Sequence, residues 1–430
     1  MLAGLRRGRP RGTALVAVLA SASLALAGCS GSSATEETNA GGVSIEYGAP
    51  KSAYVDALAD MQPVTLAIQS TGPKGSATGR RFEDYAAAVK EWSGGKISFE
   101  FTYSNGMAAP DEVHLALADG RLDIGSVMPA LVPDDLPAAN AMGDLSHLGR
   151  QTPVDWMLQW HGIMLDMAAS TSDVDDEYEK HGMKLLLPAF GSGAYMPYCT
   201  DSGTSAKALK GRGVASQSKV QNAEADALGL TPSSISYAEM FEGLERGVID
   251  CAFSTVTGAA LGGFIPAAPH VAFAEDEGFN SPAGTIAISL ARWNELPLAA
   301  QQLMFDRLDV LLQANFEGAW ENTAAAVAAV QKAKGEIAPF DEDVVAELTA
   351  VHDGVEKKVA ASEAVSDGQA LVDAAKKAEA DWATRIDGLG IDGVGTSYDD
   401  FADWYAKGVP DLQPYFDALW DGAMGERRPA

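Results

Sequence analysis

The sequence predicts an α/β protein built from two similar units with a helical return. Three observations predict it. Short apolar runs of strand length alternate with stretches of helical periodicity over residues 64–127, and the alternation repeats over 183–290. Glycines close several helices just ahead of the strands. From Pro297 to Ile386 the pattern is mostly helical. A chain of 430 residues with 47% apolar composition has ample material for a large core, and its length suggests two or three domains.

The elements follow in order. Residues 30–45 are small and polar and read as a tether. Val64 to Gln69 reads as a buried strand, followed by a Gly-containing loop from Thr71 to Gly79. Phe82, Tyr85, Ala86, Val89 and Trp92 recur at helical spacing, and Gly94-Gly95 stops that helix. Lys96 to Tyr103 alternates as a strand. A helix from Pro110 to Ala118 ends at Gly120, and Leu122 to Val127 is the next strand. This β-α-β-α-β order predicts a mainly parallel sheet covered by helices. In the second unit, Met183 to Leu187, Tyr195 to Thr200, the region of Val214, Val248 to Phe253 and Thr285 to Leu290 read as strands. Helices are expected up to Lys210, from Val220 to Leu228 and from Ala238 to Arg246. No internal repeat of fixed period and no heptad pattern occurs.

Charge and composition exclude several function classes. With 59 acidic groups against 31 Lys and Arg, the net charge is −28, which argues against a phosphate-backbone binder and so against nucleic acid. Three cysteines are too few for a disulfide-built scaffold or a four-Cys zinc site.

The first 28 residues read as a signal peptide. Arg6, Arg7, Arg9 and Arg11 form a basic start, and Thr13 to Ala27 an apolar segment too short to span a membrane. The sequence Leu26-Ala27-Gly28-Cys29, followed by Ser30-Gly31-Ser32-Ser33, resembles the bacterial lipobox, in which the Cys carries the lipid. Cys29 is therefore the expected lipidation site, and residues 29–60 the lipidated Cys and flexible tether. The expected location is the extracytoplasmic face of the cell membrane, lipid-anchored.

Catalytic signatures are few. There is no His-Glu-x-x-His, no Gly-x-Ser-x-Gly and no phosphate loop. The six His residues show no metal-ligand spacing and read as surface or capping residues, so neither metal nor cofactor is expected. Gly388-Leu389-Gly390-Ile391-Asp392-Gly393 matches a bare Gly-x-Gly-x-x-Gly, but it follows a charged helical stretch where the dinucleotide motif needs a strand, and reads as a loop. The acidic run Asp173, Asp175, Asp176, Glu177 and Glu179 reads as a solvated helix face. Paired carboxylates for glycoside hydrolysis are available by number, but nothing selects two of them.

Several segments, in order, resemble a known family. They are Trp92-Ser93-Gly94-Gly95-Lys96-Ile97, Ala118-Asp119-Gly120-Arg121-Leu122-Asp123-Ile124-Gly125, Leu209-Lys210-Gly211, Leu244-Glu245-Arg246-Gly247-Val248-Ile249-Asp250 and Trp293-Asn294-Glu295-Leu296-Pro297. Together they are similar to the substrate-binding proteins of tripartite ATP-independent periplasmic (TRAP) transporters, the DctP-like family, over roughly residues 62–345. The resemblance implies a two-domain periplasmic-binding-protein-like clamp with a long helix bracing both lobes and a helical C-terminal region. Lobe I would comprise residues 61–182 with a return from about 275–345, lobe II residues 183–274, and the C-terminal extension 346–430. It further implies a non-enzymatic receptor, a monomer that captures a small organic solute of C4-dicarboxylate-like class between the lobes. The receptor would deliver that solute to the small and large permease subunits. A surface-anchored lipoprotein hydrolase is the alternative.

One departure bears on the ligand. Family members carry an Arg four residues after the Gly of the Lys-Gly turn, whose planar fork grips a carboxylate. After Lys210-Gly211 that position is Ala215. Either other donors hold a carboxylate or the ligand is not a simple anion, and the sequence favours the second. Arg212 is the nearby guanidinium. Candidate ligand contacts on lobe I are Ser70, Thr71 and Met128. On lobe II they are Tyr195, Tyr198, Arg212 and Ala215, with Phe253, Ser254 and Phe273. Trp156 and Trp160, four apart, fit core packing better than a cleft wall. Asp123 and Asp250 read as strand-end hydrogen-bond acceptors. Cys199 and Cys251 lie on neighbouring strands and are a possible disulfide, the other reading being two buried thiols; a bridge closing so long a loop contributes roughly 4 kcal/mol. The aromatic tail from Tyr398 to Trp420 either packs back on the body, the favoured reading, or faces the permease.

Overall fold

The computed structural model describes residues 43–235 and 239–430. The signal segment, Cys29 and the tether up to residue 42 lie outside the described residues, as do residues 236–238. Eleven strands among the described residues form two sheets. The first, in lobe I, has the order β2-β1-β3-β10-β4, from Val64–Gln69 (β1), Ile97–Thr102 (β2), Ile124–Val127 (β3), Met183–Phe190 (β4) and Gly284–Ser289 (β10). The second, in lobe II, has the order β11-β9-β5-β8-β6-β7. It contains Met196–Cys199 (β5), Gly213–Ala215 (β6), Thr231–Ser233 (β7), Cys251–Ser254 (β8), His270–Phe273 (β9) and Glu336–Pro339 (β11).

Both sheets are parallel except for one strand. β1 pairs parallel with β2 from Val64 opposite Ile97 to Gln69 opposite Thr102, and β10 runs against both β3 and β4. In lobe II, β5 alone runs against its neighbours β8 and β9. In each case the reversed strand is the one that has just crossed from the other lobe, β5 after 190–196 and β10 after 273–284.

The helix Leu308–Lys332 continues Leu298–Asp306 after a break at Arg307, and packs on Ala77–Trp92 of lobe I and on Val256–Gly262 of lobe II. Gly318 permits the first crossing: a Cβ there would lie 2.7 Å from the carbonyl oxygen of Ala77. One apolar core fills lobe I and extends into the C-terminal region, and two smaller cores lie within lobe II.

Several expectations are corrected. Residues 51–57, assigned to the tether, form a helix whose Tyr54 is buried against Trp92 and bonded to the Asp306 carboxylate. β4, within the 183–274 span expected for lobe II, pairs with β10 in the lobe I sheet. β11, within the 275–345 span expected to return to lobe I, interrupts the stretch expected to be helical and joins the lobe II sheet, pairing parallel with β9. Four residues are too few to display a strand period, and a partner some sixty residues away supplies the bonding. Val248 is 68% exposed and β8 begins only at Cys251. His114, His147, His161 and His352 are buried, not at the surface, each with a hydrogen-bonding or stacking partner. The acidic run is not simply solvated: Glu177 accepts the Ala138 and Ala139 N–H groups, and Asp175 pairs with Arg427. Asp123 accepts the Ala67 N–H and Asp250 the Gly213 N–H, as strand-end acceptors.

The aromatic tail packs back on the body. Tyr415 donates its hydroxyl to the Leu158 carbonyl at 2.8 Å, and Trp404 meets Trp320 of the long helix edge-on at 5.3 Å. In lobe II, Cys199 and Cys251 face each other across β5 and β8 and form a disulfide.

Candidate functional site

The site is built where β1 and β4 end. β1 leads through a tight loop into the helix Ala77–Trp92, whose N-cap Ser76 accepts the Gly79 N–H. The apolar face of that helix carries Phe82, Tyr85 and Val89 into the core, and Thr78 and Arg81 lie on the same face one turn earlier. Arg81 is therefore a buried guanidinium, 4% exposed. It donates to Asn315 Oδ1 at 2.7 Å, Thr71 Oγ1 at 3.1 Å and Ser192 Oγ at 3.3 Å, and sits over the Phe190 ring at 4.6 Å. Among the described residues no carboxylate pairs with it. Burial pulls its pKa down to about 10, so it stays charged at neutral pH.

The floor is the crossover from β4 to β5. Burial pushes the His161 pKa down to about 3, so the ring is neutral. With Nδ1 donating to the Met157 carbonyl at 2.7 Å, its Nε2 is left to accept the Gly191 N–H at 3.1 Å. Asn315 donates to the Gly191 carbonyl at 2.7 Å. Gly191 has to be glycine because a Cβ would lie 2.5 Å from the Trp156 ring. Trp156 begins a π-helical turn, Trp156–Trp160, a geometry frequent at functional sites, and stacks on Trp160 at 4.6 Å. Lobe II contributes Thr255, the cap of the helix Val256–Gly262, and Thr257, which donates to the Ser192 carbonyl at 3.0 Å.

Between these elements lies a cleft of about 220 Å³, walled by both lobes. Four of the residues that line it carry a buried polar atom with no partner among the described residues: Thr78 Oγ1, Arg81 Nε, Ser126 Oγ and Trp156 Nε1. Such atoms are costly to bury, and four of the twelve among the described residues belong to residues lining this one cleft, which makes it the favoured place for a polar guest. A larger groove of about 320 Å³ between Asp166, Lys377, Asp381 and Glu426 lacks this property. There Asp166 accepts the Trp382 indole N–H and Lys377 pairs with Asp381.

Of the residues expected from the sequence, Thr71, Met128 and Tyr195 line the cleft. The others do not. Ser70 turns back onto the Gly72 backbone. Tyr198 meets Phe264 edge-on in the lobe II core, Phe253 packs on Phe279, and Phe273 packs on Tyr398. Ala215 is buried within β6, and Ser254 donates to the Thr255 carbonyl. Arg212 is spent on the carbonyls of Asp201 and Ser202, at 2.7 and 2.8 Å. Sequence reasoning missed Thr78, Arg81 and Ser126. Trp156, assigned to the core, reaches the cleft while Trp160 bonds the Ser146 carbonyl in the interior. A charged residue on the apolar face of a helix was the available signal for Arg81. Among the described residues no group of three or more His, Cys, Asp or Glu is placed to hold a metal, and no helix is long and apolar enough to cross a membrane.

A family profile described as bacterial extracellular solute-binding protein, family 7 (DctP), matches residues 68–363. No curated protein matches the chain. Among solved structures, a marine metagenome TRAP solute-binding protein specific for pyroglutamate is similar, with TM-score 0.61 and 16% identity, over 74% of this chain and 100% of that one. A TRAP periplasmic solute-binding protein from Roseobacter denitrificans with bound β-D-glucuronate gives TM-score 0.59 and 15% identity, over 73% and 99%. A Bordetella pertussis extracytoplasmic solute receptor binding pyroglutamic acid gives TM-score 0.60 and 15% identity, over 73% and 99%.

Proposed function

We propose a function from one premise: the chain belongs to bacterial extracellular solute-binding protein family 7, the DctP-type receptors of TRAP transporters. Members of this family are extracytoplasmic receptors and not enzymes. On our reading this receptor captures a small organic acid between its lobes and hands it to a membrane permease pair. The observation that carries the reading is the unpaired Arg81 guanidinium in one lining with three further residues, Thr78, Ser126 and Trp156, whose buried polar atoms lack partners among the described residues. A buried cation without a counter-ion is unfavourable in the empty protein and favours an anionic guest. Arg81 stands in lobe I and supplies the carboxylate donor that the Ala215 position in lobe II lacks. The ligand is then an anion, contrary to the preference drawn from Ala215 alone. The acids bound by the similar structures, pyroglutamate and β-D-glucuronate, support this class.

Closure follows from differential affinity: the ligand bridges Arg81 of lobe I and the Thr255–Thr257 edge of lobe II only when the lobes approach. The long helix and the two crossovers confine that motion to a hinge. We further propose anchoring through a lipid on Cys29, tested by detergent phase partition of wild type and Cys29→Ser. A thermal-shift screen over organic acids, amino acids, sugars and neutral polar solutes tests the central reading. A ligand at 100 times its dissociation constant stabilises by about 2.7 kcal/mol. Stabilisation by organic acids is expected; stabilisation by sugars or neutral solutes alone would reject it.

A further inference from the structure

The charge inventory of the cleft narrows the solute class further, on the premise that the cleft is the receptor site. Arg81 is the only charged side chain among the described residues that line it. Two consequences follow from electrostatics. A second carboxylate would enter a buried wall with no cation to meet it, inside a protein of net charge −28 that already repels anions. An ammonium group would find no carboxylate on the wall and would sit beside a guanidinium. Trp156 Nε1–H can only donate and has no partner among the described residues, so a guest that reaches it must bring an acceptor. The hydroxyls of Thr78 and Ser126 can donate or accept, while Met128 and Phe190 offer apolar contact. A volume of about 220 Å³ suits a guest on the order of ten non-hydrogen atoms.

We infer that the cleft selects a compact monocarboxylate carrying at least one further uncharged oxygen acceptor, and discriminates against dicarboxylates and amino acids. The single carboxylate meets Arg81 and the neutral oxygen meets the Trp156 indole N–H.

The test is calorimetry and thermal shift on the purified protein with matched sets, one of four carbons and one of six-carbon sugar acids. Each set contains the hydroxylated monoacid, the diacid, the amino acid and the neutral amide; butyrate, lacking the second oxygen, completes the four-carbon set. The hydroxylated monoacid is expected to bind at least tenfold more tightly than every other member of its set. Trp156→Phe is expected to weaken the hydroxylated monoacid about tenfold and to leave butyrate within threefold. Diacids or amino acids that bind as well as monoacids overturn the single-charge selection and leave the receptor reading standing. Equal losses for butyrate and the hydroxylated acid on Trp156→Phe overturn the role of the indole. No response to any member, with Arg81→Met indistinguishable from wild type, overturns both the inference and the receptor reading.

Discussion

Replacing Arg81 by methionine should separate affinity from stability. In the empty protein the guanidinium has no counter-ion, and the depression of its pKa from 12.5 to about 10 corresponds to about 3 kcal/mol against the charged form. Its three charge-assisted hydrogen bonds, to Asn315, Thr71 and Ser192, return about 1.5 kcal/mol or more each. Methionine relieves the first and forfeits the second, so the empty protein should lose about 1–2 kcal/mol, a melting shift of about 2–4 °C. Binding should change far more. Removing one partner of a buried, hydrogen-bonded charge pair costs about 2–5 kcal/mol, a loss on the order of 30- to 3,000-fold in affinity. Arg81→Lys, which keeps the charge and loses the planar fork, should fall between. The assay is calorimetric titration with the best acid from the screen, beside thermal melts of both proteins without ligand. Affinity within threefold of wild type would refute the reasoning, and so would an empty variant melting more than about 5 °C lower, which would make Arg81 a structural residue.

Three further predictions concern the frame around the cleft. Replacing Cys199 and Cys251 by serine removes a crosslink between residues 52 apart, and should lower stability by about 4 kcal/mol in urea denaturation while the dissociation constant moves less than threefold. Burial acts against protonation of His352, but hydrogen bonds and charges from Glu224 and Glu277 outweigh it and hold the pKa at about 9. The folded state then holds a proton that the unfolded chain has lost between pH 6.5 and 9. Stability present below 6.5 should thus decline by up to about 3 kcal/mol as pH rises through 9, and His352→Gln should flatten that slope in urea midpoints measured at both ends. Trp404→Ala, which opens a void against Trp320, should cost about 3–5 kcal/mol; a loss under 1 kcal/mol would mean that the tail is a surface appendage and not part of the core.

Much of the frame was legible in the sequence. Val64–Gln69, the helix through Phe82 to Trp92 and the strand from Thr285 were readable because period and punctuation agree there. β11 was not, because a four-residue edge strand is defined by its partner β9 and not by its own pattern. The site was less legible for a related reason. Tyr198, Phe253 and Phe273 have the composition of a cleft wall, but which face of a strand meets the other lobe depends on how two sheets are set together. Arg81 carried a local signal, a cation on the helix face that holds Phe82, Tyr85 and Val89.

The interleaving of the sheets constrains how the polypeptide acquires its form. Lobe I cannot close its sheet until β10 inserts between β3 and β4, and lobe II lacks its edge until β11 joins β9. Lobe I must therefore wait for a strand that follows most of lobe II, and lobe II for one that follows the completed lobe I sheet. About 290 residues must be released before the lobe I sheet is complete and about 340 before the lobe II sheet is, and pairings of such long sequence separation form slowly and leave sticky edges exposed meanwhile. Late closure of this kind keeps a nascent chain threadable, a property that export through a narrow channel requires.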